Sequence, residues 1–235
     1  MDYSSEKIFR MLKNGPMGLI VSLPGNKVEL AAAAQSGGAD MIKIHLNVTH
    51  AASGIHFGAF NEERDGIEQI LKAVDIPVGI MPGAATTASM EDMLELEKMG
   101  ISFFDIYITD MPAGYLNLKN MEPMAALGHD WRYRNVAGLN GLGVKLTEAS
   151  IVKHEDYGKP LLASDLMDYS SISSGFDGAV IVPTQKKIEP GEVELLRRAG
   201  VSGIMIGKIV TGDTPAGLES ATAEFASAIA GLKKI

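Results

Sequence analysis

The sequence predicts an α/β fold: a single (β/α)8 TIM barrel of parallel strands spanning 1–235 as one domain, with an extra helix ahead of the first strand. Three observations predict it. One local pattern recurs along the chain: a glycine fit to close a helix, an apolar residue, an Asp or Ser, then a short apolar strand. Its copies are "GGADMIKIH" (37–45), "MGISFFDIY" (99–107), "SGFDGAVIV" (174–182) and "AGVSGIMIG" (199–207). Helical spacing fills the gaps, as in Ile67, Ile70, Leu71 and Val74, and strands alternating with helices imply parallel βαβ units. The length, 235 residues, is close to the roughly 250 typical of this barrel. A doubly wound open sheet is the competing architecture. The first strand-to-helix turn, "VSLPGNKVEL", carries no G-x-G-x-x-G and disfavours it.

The elements follow in order. An amphipathic segment near Ser5 to Lys13 precedes the first strand and is expected to cap the barrel bottom. "MGLIVS" (17–22) is the first strand and "MIKIH" the second; "IPVGIM" (76–81) is the third, entered through a proline. "FFDIY" is the fourth. The fifth is expected between Val136 and Leu146, in "VAGLNGLGVKL", and the sixth at "KPLLAS" (159–164). "AVIV" and "GIMIG" close the set.

Bulk composition bounds the function. Hydrophobic residues make up 46% and charged residues 21%, enough apolar content for a sizeable core. The net charge of −8 repels nucleic acid and anionic membranes, so neither is an expected partner. No apolar run is long enough to span a bilayer, and the N-terminus lacks a signal-peptide core, which makes the cytoplasm the expected location. With no cysteine there is no disulfide, thiolate metal site or cysteine nucleophile. Thirteen methionines and apolar helix faces leave room for a homo-oligomer interface.

Barrels of this kind bind ligands at the C-terminal strand ends, and side chains alternate inward and outward along each strand. In "MIKIHLN" the apolar Ile42 and Ile44 face the helices, so Lys43 and His45 face the lumen, with Asn47 just beyond. A lumen lysine is costly unless paired or used. Desolvation would lower its pKa and make it a base or Schiff-base nucleophile. In "FFDIYITD" the same alternation turns Asp105 and Tyr107 inward, and Asp105 is the expected partner of Lys43. Lys43, His45, Asp105 and Asp165 are the candidate catalytic residues; Asn47, Tyr107 and Lys145 are candidates to line the substrate. Asp165 has the competing role of capping the helix that follows it. His50 and His56 lie in a long loop after the second strand. With His45 they could bind metal, but no carboxylate completes a recognisable ligand spacing, so neither a metal nor a cofactor is expected.

The loops after strands seven and eight, "VPTQKK" (182–187) and "GKIVTG" (207–212), carry the features of a phosphate clamp. Gly207 allows close backbone approach, Thr184 and Gln185 offer side-chain donors, and Lys208 adds a point charge. The stretch "GIMIGKIVTGDTPAGLESATAEFASAI" (203–229) resembles the last strand, phosphate turn and terminal helix of ribulose-phosphate-binding barrels. "TASMEDMLELEKMGISFFDIYIT" (87–109) and "GLIVSLPG" (18–25) are similar to corresponding pieces of the N-acetylmannosamine-6-phosphate 2-epimerase family. The resemblance implies a small phosphorylated sugar or carbonyl metabolite as ligand, held by Gly207, Lys208 and the preceding loop. The catalytic lysine that the epimerase pattern places after strand three is absent: the chain reads Met81, Pro82, Gly83 there. The expected activity is that of an isomerase, an epimerase or a lysine-dependent aldolase, with a non-catalytic metabolite-binding barrel or assembly subunit as the alternative.

Overall fold

The computed structural model describes residues 5–49 and 54–232. Its strands, numbered here around the barrel in chain order, are β1 (Gly18–Ser22), β2 (Met41–His45), β3 (Val78–Met81), β4 (Phe103–Tyr107), β5 (Glu122–Ala126), β6 (Leu146–Glu148), β7 (Ala179–Pro183) and β8 (Gly203–Ile206). All eight pair in parallel and in sequence, and β8 closes on β1 through Gly18↔Gly203 and Val21↔Ile206. This is a (β/α)8 TIM barrel, and α1 (Ser5–Asn14) is the expected extra helix.

Two apolar layers follow from the strand alternation. Outward residues such as Ile42, Ile44, Phe104 and Ile106 pack against the surrounding helices in the larger cluster. These helices include α2 (Val28–Ser36), α3 (Phe60–Ala73), α4 (Met90–Met99) and, later in the chain, α5 (Tyr133–Gly141) and α6 (Ala163–Gly175). Inward residues Ile20, Met41, Phe103, Met124, Leu146 and Ile181 form a second cluster inside the barrel, and Ile8 and Leu12 of α1 join it from below. The bottom is therefore plugged by a helix face. Two residues further along their strands stand Lys43, Asp105 and Glu148, where the lumen changes from oil to charge.

Two strand assignments are corrected. β5 is "EPMAA", which has no β-branched residue and contains Pro123, so its intrinsic preference is poor. Pairing on both sides, Phe104↔Pro123 with β4 and Met124↔Leu146 with β6, overrides that preference. The segment expected to be strand five instead forms α5 and a turn at Gly143, whose φ of +72° is in the glycine-favouring region. "KPLLAS" is not a strand either: Pro160 makes one bridge to Lys187, and α6 begins at Ala163. Between β4 and β5 no full helix forms. A 3-10 turn, Ala113–Asn117, does the crossing, and the Tyr115 hydroxyl fastens it by donating to the Ala88 carbonyl.

The floor is tightly filled at one point. Gly79 of β3 lies against the Phe103 ring, which occupies the space a Cβ would need. Gly79→Ala is expected to cost about 1–3 kcal/mol by forcing that ring out of its packed position. Urea denaturation of the variant against the native protein checks it.

Candidate active site

Lys43, Asp105 and Glu148 come from β2, β4 and β6, alternate strands whose inward side chains share one lumen level. Lys43 Nζ donates to Asp105 Oδ2 at 2.5 Å and to Glu148 Oε2 at 3.4 Å. All three are almost fully buried. Burial alone would lower the Lys43 pKa and is the largest single effect. The charges of Asp105 and Glu148, with their hydrogen bonds, together outweigh it and hold the ammonium above its ordinary value. Of the two readings the sequence offers for this lysine, the paired ammonium is the one that these contacts favour.

Glu148 goes the other way. Burial first, then the charge of Asp105, push it well above the carboxylate range, and Lys43 pulls it back only in part. With both carboxyls ionised, Asp105 Oδ1 has no donor. A proton kept on the neighbouring Glu148 carboxyl would supply one. One ammonium, one carboxylate and one carboxylic acid make a cluster with no net charge, the arrangement that lessens the desolvation cost of burying it.

Above this cluster opens a cavity of about 290 Å³. Lys43, Asp105 and Glu148 form its polar floor. Tyr107, Ser150, Tyr157 and Gln185 line one side, and Val48, Met81, Ala84 and Ile209 supply apolar surface. Thr184, Gly207 and Lys208 line the same cavity. The Gly207 N–H donates to Thr184 Oγ1 at 3.0 Å, which joins the two loops. Lys208 opens a single helical turn (Lys208–Thr211) and forms an ion pair with Asp213 at 2.9 Å.

Other expected site residues sit elsewhere. His45 points inward but is fully buried under Phe57, ring centroids 4.8 Å apart, with Nε2 3.3 Å from Ser22 Oγ; it does not line the cavity. Asn47 adopts a left-handed φ of +52° and donates its amide to the Pro82 carbonyl, fastening the start of the short ribbon Val48–Thr49/His56–Phe57 and not lining the cavity. Asp165 accepts from the Leu162 N–H in the first turn of α6 and lies 3.7 Å from Lys186, outside the cavity. Of its two expected roles, it takes the helix cap. Lys145 precedes β6 at the barrel bottom, exposed, with Nζ 5.9 Å from the Phe9 ring centre, so it lines no substrate space. His56 is exposed and bonded to Thr49 Oγ1, while His50 lies outside the described residues. Among the described residues no cluster of three metal-capable side chains occurs. No helix among them is long and apolar enough to cross a membrane.

Glu148, Ser150 and Tyr157 are absent from the sequence-based expectation. Glu148 ends β6 (Leu146–Glu148), which lies later than the strand expected there, and Ser150 and Tyr157 follow it. With "LTE" as a strand, alternation from the floor residue Leu146 turns Glu148 inward.

No family model matches the chain, and no curated protein sequence matches it. Solved structures do match in fold. The thiamine phosphate pyrophosphorylase from Pyrococcus furiosus superposes with a TM-score of 0.64 at 14% identity, covering 92% of this chain and 97% of that one. KGPDC from Streptococcus mutans, solved in complex with a pentose phosphate, gives 0.65 at 15% identity over 92% and 99%. Phosphoribosyl anthranilate isomerase from Thermus thermophilus gives 0.65 at 12% identity over 92% and 100%. At these identities the likeness establishes the (β/α)8 barrel fold and leaves the reaction to be argued from the site.

The charge state of the cluster has a measurable consequence. A carboxyl whose folded-state pKa lies above its unfolded value holds its proton more tightly in the fold. The stability it contributes is full below that unfolded value, 4.5 for Glu148, and is lost as pH rises toward the raised folded value. Glu148→Gln removes the titration. Between about pH 5 and 8 the native protein is expected to lose on the order of 1 kcal/mol more than the variant, from urea midpoints across that range.

Proposed function

We propose that the protein is an enzyme that moves a proton next to the carbonyl group of a small phosphorylated sugar or carbonyl metabolite, as an isomerase or epimerase does. The observation that carries this reading is the shared cavity: the Lys43–Asp105–Glu148 cluster and the Thr184, Gly207 and Lys208 loops line the same space. In this reading Asp105 takes the proton from the carbon beside the carbonyl, and Lys43 stabilises the charge that develops on the oxygen. Glu148, which keeps its proton, delivers it to that oxygen. When Asp105 gives its proton to the former carbonyl carbon and Glu148 recovers one from the adjacent hydroxyl, the product is an isomer. When a second acid protonates the original carbon on its opposite face and Glu148 recovers its proton from the enediol oxygen, the product is an epimer. The phosphate sits by the strand-seven and strand-eight loops, where Lys208 exchanges Asp213 for the ligand's charge. The likeness to barrels bound to a pentose phosphate or named for phosphoribosyl compounds supports the substrate class.

Lysine-dependent aldol chemistry is the weaker reading, because Lys43 is held as a cation and a Schiff base needs a free amine. Incubation in deuterium oxide with D-ribulose 5-phosphate, D-ribose 5-phosphate, dihydroxyacetone phosphate and N-acetylmannosamine 6-phosphate, followed by proton NMR, tests the proposal. Deuterium is expected beside the carbonyl of at least one of them. Asp105→Asn should slow exchange by about 10²–10⁴-fold. Borohydride should trap no adduct on Lys43. Exchange at the native rate in Asp105→Asn, or none with any of these substrates, would overturn the assignment. Lys208→Ala is expected to raise KM for the phosphorylated substrate about tenfold with kcat changed far less, as for an interaction made equally in ground and transition states.

A further inference from the structure

The side of the cavity built by Tyr107, Ser150, Tyr157 and Gln185 is expected from sequence to hold phosphate in part, through Gln185. Its hydrogen bonding points elsewhere. The Val152 backbone N–H, which can only donate, bonds Gln185 Oε1 at 3.1 Å and so fixes which end of the amide is oxygen. The NH₂ end must face the hydroxyls, and it donates to Ser150 Oγ at 2.8 Å and to Tyr157 Oη at 2.6 Å. Both hydrogens of the amide are spent, and Gln185 is itself buried at 7% exposure, so it has nothing left for a phosphate.

The direction of this network decides what the wall offers a ligand. Ser150 and Tyr157 are acceptors toward Gln185, so their own hydrogens must point away from it. Tyr107 Oη lies 2.9 Å from Ser150 Oγ, and the Tyr157 hydroxyl is close enough to Tyr107 to influence its neighbour's titration. Three hydroxyl hydrogens enter the wall, and these two contacts use at most two of them. At least one O–H therefore remains to be donated into the cavity. A wall locked in this sense favours an acceptor, and an anionic acceptor most of all, since charge-assisted bonds are roughly twice as strong as neutral ones.

We propose that Tyr107, Ser150 and Tyr157 form an oxyanion-accepting subsite above the Lys43–Asp105–Glu148 cluster, that Gln185 is the positioning residue that sets its polarity, and that the ligand is an α-hydroxy carbonyl compound whose carbonyl oxygen lies there. The proposal rests on the proton-transfer reading for its reaction, because removal of the neighbouring proton is what turns a carbonyl oxygen into an enediolate. It adds where that oxygen goes.

Gln185→Glu tests it with almost no change in shape. An ionised glutamate still accepts from Val152 but cannot donate, so the hydroxyls turn toward it and away from the ligand. The probes are phosphoglycolohydroxamate, which mimics a phosphorylated enediolate, glycolohydroxamate, its phosphate-free counterpart, and glycerol 3-phosphate, which carries only neutral hydroxyls. Binding is read by calorimetry or NMR titration. The native protein should prefer phosphoglycolohydroxamate to glycerol 3-phosphate by about tenfold or more. Gln185→Glu should lose that preference: its added charge weakens both phosphates, but phosphoglycolohydroxamate by about tenfold more, whereas damage to the structure alone would weaken both alike. Tyr107→Phe removes one hydroxyl without touching Gln185 and should also reduce the preference, which keeps the test decisive if the glutamate variant fails to fold. An unchanged preference in both variants overturns the subsite. Hydroxamates that bind the native protein equally with and without phosphate, yet weaken in the variants, uphold the subsite and overturn the phosphate reading. Absence of hydroxamate binding to the native protein overturns the subsite.

Discussion

A lysine ammonium inside a barrel lumen is tolerable only if something neutralises it, and the upper half of this structure is arranged around that requirement. Lys43 is matched by Asp105 from across the barrel, and Glu148 completes the level by keeping a proton. The alternative to such matching is a penalty of several kcal/mol for each unpaired buried ion. Below the cluster the lumen is mostly apolar, with the buried Glu122 at the start of β5, and α1 packs under it; above it the lining turns to hydroxyls and loop backbone. The chemistry proposed for the site follows from the same electrostatics. An ammonium fixed between carboxyls stabilises negative charge well and attacks carbonyl carbons poorly.

What could be read from the sequence, and what could not, divides along a physical line. Where strands are apolar and helix ends carry glycine, local pattern and tertiary structure agree, so the barrel, the α1 plug and the inward direction of Lys43, Asp105 and Tyr107 were all legible. The stretch from Glu122 to Ser164 was not. β5 is a strand because two neighbours hold it, not because Met124, Ala125 and Ala126 favour one. β6 is three residues long, too short for alternation to register. The error in β6 concealed Glu148 and Ser150, and it moved Lys145 from the outer floor into an imagined lumen. His45 illustrates a different limit. Its direction was right, but a ribbon two residues wide brings Phe57 over it, and no local pattern announces such a cover.

Gln185 shows why residue type is a weaker guide than bonding direction. Between strand seven and strand eight an amide looks like a phosphate donor. Its oxygen is committed to Val152 and its hydrogens to two hydroxyls, so its effect on a ligand is transmitted through Ser150 and Tyr157. The acidic protein as a whole, with a net charge of −8, repels anions. Attraction of an anionic ligand is left to short-range contacts within the cavity, where low dielectric strengthens them.

The helix that seals the bottom also governs traffic. Ile8 and Leu12 pack under the floor, so among the described residues the cavity is closed below and opens toward the C-terminal ends of the strands. Whatever enters must leave by the way it came, and a fresh molecule cannot push the old one out ahead of it. In the proposed isomerisation, turnover would depend on vacating the cavity, with reactant and product, close in size and charge, competing for the same doorway.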